Sequence, residues 1–341
     1  MKVLVTGATG FIGYHVTRHL LEKGFSVRAL VREGSDASLL KPLNIEIVRG
    51  DIRDQACLML AVMGCRQIYH VAGDYRIWVP DSRTMYEINV QGTKNVMQAA
   101  LKNCVEKVVY TSTVGVLPAS SKDKTANEDD EAAYSEMVGH YKKSKFLAEQ
   151  EVHHYLGMGI PIVIVNPSTP IGAFDRKPTP TGQIVVDFLN GKIPAYLDTG
   201  LNIVDVEDVA AGHLLAAQYG RSGERYILGH KNMALREFLA CIAEEAGTEP
   251  PNIRLPYLPI LLAAYMNEAL SQVTKTPPRI PLTGVKLAKK YMYFDCTKAV
   301  MELKLPQSPI EQAVKKSIRW YRENGYVHAK ADRRSRNRLS T

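Results

Sequence analysis

Cysteine is scarce in this chain of 341 residues. The five present, Cys57, Cys65, Cys104, Cys241 and Cys296, are odd in number and form no Cys-x-x-Cys pair, which argues against a disulfide framework and a structural zinc centre. No metal site is expected, and a reducing, cytoplasmic compartment fits. A long apolar run is also missing. The longest, Leu255–Ala264 continued by Tyr265 and Met266, holds two prolines and reaches roughly half a bilayer span, which argues against a transmembrane helix. No secretory leader is read, because a strand pattern begins at Lys2, and no internal repeat is evident. Hydrophobic residues still make up 45%, enough for a substantial core, so a disordered chain is excluded.

Acids are in deficit: 35 Asp and Glu against 43 Lys and Arg leave a net charge of +8. Such an excess suits nucleic acid, an anionic membrane or an enzyme whose ligands carry phosphates. Residues 329–341 hold five basic residues and one acid and read as a disordered tail, so half of the excess lies outside the expected fold.

The first two-thirds alternate strand and helix patterns. Val3–Val5 is followed by a helix over Phe11–Lys23, with Gly24 where a helix-ending glycine belongs. Strands are expected at Ser26–Val31, Ile45–Arg49, Gln67–Val71, Lys107–Ser112 and Ile162–Asn166. Helices are expected from Asp51 to about Met63 and over Glu87–Leu101 and Tyr141–Leu156. This rhythm predicts an α/β fold, a doubly wound parallel Rossmann sheet. After Asn166 the prolines at 167, 170, 178 and 180 mark an excursion. The expected organisation is a nucleotide-binding domain over residues 1–166, with 203–229 returning to it as helix Ala210–Tyr219 and strand Arg225–Leu228. A smaller, mainly helical C-terminal substrate lobe takes up 167–202 and 230–328.

Gly7-Ala8-Thr9-Gly10-Phe11-Ile12-Gly13 follows the first strand and opens the first helix. Gly7 permits the turn, Gly10 the approach of a pyrophosphate, and Gly13 close helix–strand packing, with the phosphates meeting free N–H groups at the helix N-terminus. The second strand ends in Val31-Arg32 with no acid before the arginine, which favours NADP(H) over NAD(H), whose ribose is usually held by a carboxylate there. Asp51, after the third strand and next to Ile52, suits an adenine amine and equally suits a helix N-cap. Tyr141 and Lys145 lie four residues apart and share one helix face. An ammonium beside a phenol lowers the phenol's pKa, which would let Tyr141 exchange a proton, and Lys145 could also hold ribose hydroxyls. Thr111, Ser112 and Thr113 end the fifth strand, 28 residues before Tyr141 in the case of Thr113, where a hydroxyl could align a reacting oxygen.

Together with Gly50-Asp51, His70-Val71-Ala72-Gly73, Asn89, Asn166-Pro167 and Val204–Ala210, these elements cover nearly the whole chain to about Tyr326. The sequence resembles an extended short-chain dehydrogenase/reductase of the dihydroflavonol-reductase-like branch. It is most similar to the bacterial hopanoid-associated sugar epimerase group through Asp74–Trp78, Asn166–Gly172 and Lys177–Gly182. The resemblance implies Tyr141 as general acid/base with Lys145 as its partner, and Thr113 or Ser112 as the hydroxyl member. It makes Asn89 a structural or proton-relay residue, sets Val71, Ala72 and Gly73 beside the cofactor, and places Pro167, Ser168 and Thr169 against the nicotinamide. Sugar dehydratases of that family carry Asp-Glu after the catalytic Thr, where this chain has Val114-Gly115, so dehydration is not expected. Carbonyl reduction with NADPH is favoured. Sugar epimerisation is the alternative, and a non-catalytic NADP-binding regulator a third.

Asp74, Tyr75, Arg76 and Trp78 are expected to face substrate, with packing against the second lobe as the competing role. The Leu-, Ile- and Ala-rich stretch Pro259–Leu270 reads as core, or as a wall for an apolar tail or a membrane-surface contact. A small-molecule or lipid-linked carbonyl substrate is expected, without nucleic acid. Peripheral contact with the inner membrane is a further expectation. Homodimerisation through Glu87–Leu101 and Tyr141–Leu156 is implied by the resemblance.

Overall fold

The computed structural model describes residues 1–118, 120, 124–274, 276, 278 and 281–328; the basic tail 329–341 lies outside the described residues. The strands are β1 (Lys2–Thr6), β2 (Ser26–Val31), β3 (Glu46–Arg49), β4 (Gln67–His70), β5 (Lys107–Thr111), β6 (Ile162–Pro167), β7 (Thr169–Ile171), β8 (Ala195–Tyr196), β9 (Gly200–Asp205), β10 (Arg225–Leu228), β11 (Lys231–Ala234) and β12 (Ile253–Arg254). The central sheet runs β10-β6-β5-β4-β1-β2-β3, with every pairing parallel. The strand order reverses between β1 and β4, the place where open α/β sheets bind ligands beyond the strand C-termini.

Successive residues of a strand face opposite sides. Val3 and Val5 join one core with Tyr14, Val16 and Leu20, while Leu4 joins a second with Leu58, Val96 and Val152. Both faces are covered, which is why the strands read as unbroken apolar runs. The first face is covered by α1 (Phe11–Glu22), the second by α2 (Gln55–Val62), α4 (Gly92–Lys102) and α5 (Gly139–Gly157), and the short α3 (Arg83–Tyr86) packs on α5. A π-helical stretch, Glu87–Gln91, joins α3 to α4. Helix α2 starts later than expected. Its N-cap is Asp54, which accepts from the amides of Ala56 and Cys57 at 2.9 and 3.1 Å, whereas Asp51 accepts from Arg53 in the preceding turn.

The C-terminal lobe contains α6 (Pro180–Leu189), α8 (Leu235–Ala246), α9 (Tyr257–Thr274), α10 (Leu282–Ala288) and α11 (Ile310–Glu323), while α7 (Val206–Tyr219) packs on α1 in the first domain. Helix α7 begins at Val206, four residues before its expected start, with Asp205 as its N-cap. The lobe is not purely helical. Strands β7, β9 and β11 form a mixed three-stranded sheet, parallel between β7 and β9 and antiparallel between β9 and β11. Its members are short, and Pro170 inside β7 masks the strand pattern. Ile171, Ile203, Phe238, Ile242, Val314 and Tyr321 form the lobe's own core.

Glu207 on α7 locks the nucleotide-loop helix α1 in place. Its carboxylate accepts from Arg18 at 3.2 Å and lies 2.7 Å from the His19 ring. Burial, which raises a carboxyl's pKa, is outweighed by hydrogen bonds to His15 and His19 and by the charge of Arg18, leaving Glu207 well below the usual carboxylate range. A depressed folded-state pKa gives stability that is complete above the unfolded value of about 4.3 and lost as pH falls through the folded one. Glu207→Gln is therefore expected to cost about 1–3 kcal/mol near neutral pH, with the gap to the wild type narrowing in acid. Urea unfolding at both pH values checks this, and an undiminished gap in acid would contradict it.

Candidate active site

The nucleotide end is built from backbone. Gly7 has φ +75°, and its carbonyl accepts from the Gly10 amide at 2.9 Å. A Cβ on Gly13 would lie 2.1 Å from that carbonyl oxygen, and one on Gly7 would lie 2.6 Å from the Ala72 nitrogen. The α1 N-terminus thus sits against the C-terminal edge of the sheet. Gly10 caps it without a side chain and its first turn carries no acid, so the N–H groups that open the helix at Phe11 and Ile12 are free to meet an anion. Thr6 ties the ends of β1 and β4 together: its hydroxyl lies 2.7 Å from His70 Nδ1 and accepts from the Ala72 amide at 3.2 Å, which sets the Val71–Gly73 backbone beside the loop. This cradle fits a dinucleotide pyrophosphate.

At the ends of β2 and β3 stand Arg32, which is exposed, and Arg49, which donates to the Arg32 carbonyl at 3.3 Å. Asp51 lies within the field of Arg32. Burial, which raises its carboxyl, is outweighed by hydrogen bonds from Arg53 and by the charges of Arg53 and Arg32, so its pKa is lowered. The Ile52 side chain packs against Gly92 of α4, and the Ile52 carbonyl accepts from Asn95 at 3.1 Å; only the neighbourhood of Ile52, not its side chain, is offered to a ligand.

At the Tyr141 end, the last residues of β5 and the two that follow it each go a different way. The Thr111 hydroxyl pairs with the His213 ring at 2.9 Å, while the Thr111 carbonyl accepts from Lys145 Nζ at 2.7 Å. Ser112 donates to Glu149, which also pairs with Arg225 at 2.8 Å. Thr113 caps the next turn, accepting from the Gly115 amide at 3.0 Å, and its hydroxyl lies close enough to Tyr141 to favour the phenolate. The structure thus separates the two candidate hydroxyls: Thr113 faces Tyr141 and Ser112 is committed to Glu149.

The expected direct action of Lys145 on Tyr141 is not what the geometry shows. Lys145 Nζ donates to Tyr110 Oη at 2.9 Å as well as to Thr111, and lies 4.5 Å from the Tyr110 ring centre. Tyr141 is raised above its ordinary value because burial penalises the phenolate more than the Thr113 hydrogen bond favours it. Burial pushes the Lys145 ammonium down to about 8, against the opposing pull of Glu149.

Asn89 lies in the π-helical stretch, a form of backbone frequent at functional sites. It accepts from the Asp74 amide at 2.7 Å and donates to the Asp74 carbonyl and to Ser144 Oγ, each at 2.9 Å. It therefore pins the Asp74–Trp78 loop to α5, one residue before Lys145. In that loop Asp74 pairs with Arg76, Tyr75 donates to the Lys177 carbonyl at 3.1 Å, and the Trp78 indole donates to Glu268 of α9 at 3.2 Å. The loop thus packs against the second lobe while bordering the cleft. Past Pro167, the Ser168 amide donates to the Leu228 carbonyl at 3.0 Å. Asn166 Oδ1 and Ser168 Oγ are buried without a hydrogen-bond partner, which leaves polar atoms for a ligand next to Pro167–Thr169.

Sequence reasoning missed Glu149, Tyr110 and His213. Glu149 was within reach, since Tyr141, Lys145 and Glu149 repeat every fourth residue on α5. The roles of Tyr110 and His213 come only from the sheet register and the packing of α7.

The family model for the NAD dependent epimerase/dehydratase family matches residues 3–229. A protein of Synechocystis sp. named as a candidate dihydroflavonol 4-reductase is 44% identical over 328 residues, 95% of each chain. Sterol demethylase protein B of Methylococcus capsulatus is 30% identical over 96% of this chain and all of its own. The crystal structure of gox2253 is 43% identical and superposes with a TM-score of 0.86, covering 96% of this chain and 99% of that one.

Glu149 favours the charged form of Lys145, so Glu149→Gln is expected to move the lysine's titration to lower pH. Ser112→Ala, which leaves the carboxylate, should not. Side-chain NMR of Lys145 reads both, and an unmoved titration in Glu149→Gln would refute the coupling.

Proposed function

The chain belongs to the NAD dependent epimerase/dehydratase family and is an NAD(P)-dependent oxidoreductase or epimerase, and from that premise we propose that it reduces an aldehyde or ketone with NADPH. The observation that carries the choice of cofactor is the end of β2: Arg32 is exposed there with Arg49 beside it, and no acid precedes Arg32 on the strand. Two guanidiniums suit a 2′-phosphate, whereas a ribose diol is usually held by a carboxylate. A released cofactor suits a reductase. The Synechocystis relative, named for a reductase, supports the same reading.

NADPH supplies the hydride that reduces the carbonyl carbon. The α1 N-terminus and Gly7–Gly13 would hold its pyrophosphate, Arg32 its 2′-phosphate, and Asp51 its adenine. Tyr141 gives its phenolic proton to the carbonyl oxygen. Its raised pKa keeps that proton in place near neutral pH, as an acid for reduction requires. Thr113 donates a hydrogen bond to the same oxygen, and Lys145, held on Tyr110 and the Thr111 carbonyl one turn along α5, would hold the cofactor's ribose hydroxyls. The substrate proposed is a polyol- or sugar-like carbonyl compound joined to an apolar, hopanoid-like tail. The mixed Asp74–Trp78 loop suits the polar part, and the sterol-named Methylococcus relative supports a polycyclic apolar one. Epimerisation is the second reading, favoured by the family model's own description.

Tyr141→Phe is expected to fold and bind NADPH while losing turnover by about 10²–10⁴-fold; near-normal turnover across an aldehyde panel would refute the assignment. Arg32→Ser is expected to weaken NADPH by about tenfold and leave NADH affinity nearly unchanged; titration calorimetry with both cofactors decides it, and equal losses would count against a 2′-phosphate contact.

A further inference from the structure

Helix α9 is the most exposed apolar element of the described fold. Leu258, Leu262, Tyr265, Met266, Leu270 and Val273 are between 48% and 81% exposed. Their spacing places them on one side of the helix, and the side opposite holds the buried Ala264 and Ser271. Glu268, the only acid between residues 257 and 294, lies off that stripe and accepts from the Trp78 indole. A contiguous apolar stripe of this size on a soluble fold marks a contact surface.

The charge around the stripe shows what kind of surface it meets. Residues 257–294 hold five basic residues and one acid, and so carry +4; residues 329–341 carry another +4, and the remainder of the chain is neutral. Outside the tail, the positive excess of the sequence is therefore concentrated in the segment that carries the stripe, and Lys286, Lys289 and Lys290 are its described basic residues. Lys286 on α10 lies at its border, with Nζ 5.1 Å from the Tyr265 ring centre, and Lys289 and Lys290 are exposed just beyond α10. An apolar stripe edged by lysines fits a helix lying in the headgroup region of an anionic membrane. A second copy of the chain would set like charges against each other at the same face. No described helix is long and apolar enough to cross a membrane.

We propose that α9 docks this protein on an anionic bilayer surface, with the stripe in the boundary between headgroups and acyl chains and Lys286, Lys289 and Lys290 on the headgroups. Glu268 joins α9 to Trp78, so docking brings the Asp74–Trp78 loop to the membrane, where a substrate with an apolar tail would reside. Binding requires no turnover, so this proposal stands apart from the reductase reading.

The test is co-sedimentation of the full chain with vesicles of phosphatidylcholine alone or mixed with phosphatidylglycerol. Phosphatidylglycerol is expected to raise binding by about tenfold or more, and added salt to reverse it. Leu262→Glu with Met266→Glu, both at exposed positions, should lower binding by about tenfold or more, and Lys286→Glu should lower it as well; circular dichroism confirms folding. Loss of vesicle binding on deleting 329–341, with Leu262→Glu/Met266→Glu binding like the wild type, would assign attraction to the tail and overturn the proposal. So would a wild type that stays in the supernatant, or a dimer that the α9 variants convert to a monomer in sedimentation equilibrium.

Discussion

The candidate site depends on how four consecutive residues, the last two of β5 and the two that follow it, are divided among their neighbours. Tyr110 Oη and the Thr111 carbonyl hold Lys145, the Thr111 hydroxyl holds His213 of α7, Ser112 holds Glu149, and Thr113 faces Tyr141. Four consecutive residues thus tie together β5, α5, α7 and, through Arg225, the edge strand β10. A shift of one residue in the register between β5 and β6 would exchange Ser112 and Thr113 and point the wrong hydroxyl at Tyr141. The parallel sheet is therefore the device that fixes which hydroxyl lies beside Tyr141.

Electrostatics follow from the same arrangement. Lys145 is buried among neutral partners: His70 beside it is held down to about 3 by burial and by the lysine's own charge, and Tyr110 is raised far above a phenol's usual range by burial. Glu149 is the one carboxylate that opposes the desolvation of Lys145. A buried cation is costly unless the charge that opposes its desolvation is kept in place, and Ser112 and Arg225 hold Glu149 there. The neighbouring Lys142, also pushed down to about 8 by burial and by Lys290, lies with its stem against Gly115 next to Thr113 and adds positive potential at the same strand end.

Much of this was legible in the sequence because it is carried by local pattern. The glycine spacing from Gly7 to Gly13, the apolar strands covered on both faces and the Tyr141–Lys145 pair each follow from the period of one element. What was not legible depends on contacts between elements. Asp51 and Asp54 are both plausible caps, and only the folded turn gives the role to Asp54. Ser112 and Thr113 differ only by which side of β5 they leave. Strand β7 is hidden by Pro170, and the apolar residues of α9 looked like core until the fold left one side without a covering layer. The net charge shows the same division. Its sum raised three possibilities, and its distribution, neutral overall outside 257–294 and 329–341, separates the dinucleotide site from the segment proposed to meet a membrane.

The central claim is net carbonyl reduction, with Tyr141 as proton donor. It is tested most directly by incubating the protein with NADPH deuterated at the transferred position and a carbonyl substrate, then following the label by mass spectrometry. Net reduction puts one deuterium in each alcohol formed and releases one oxidised cofactor for each. Product isomerised without label, alongside oxidised cofactor that stays bound and is never consumed, would contradict it.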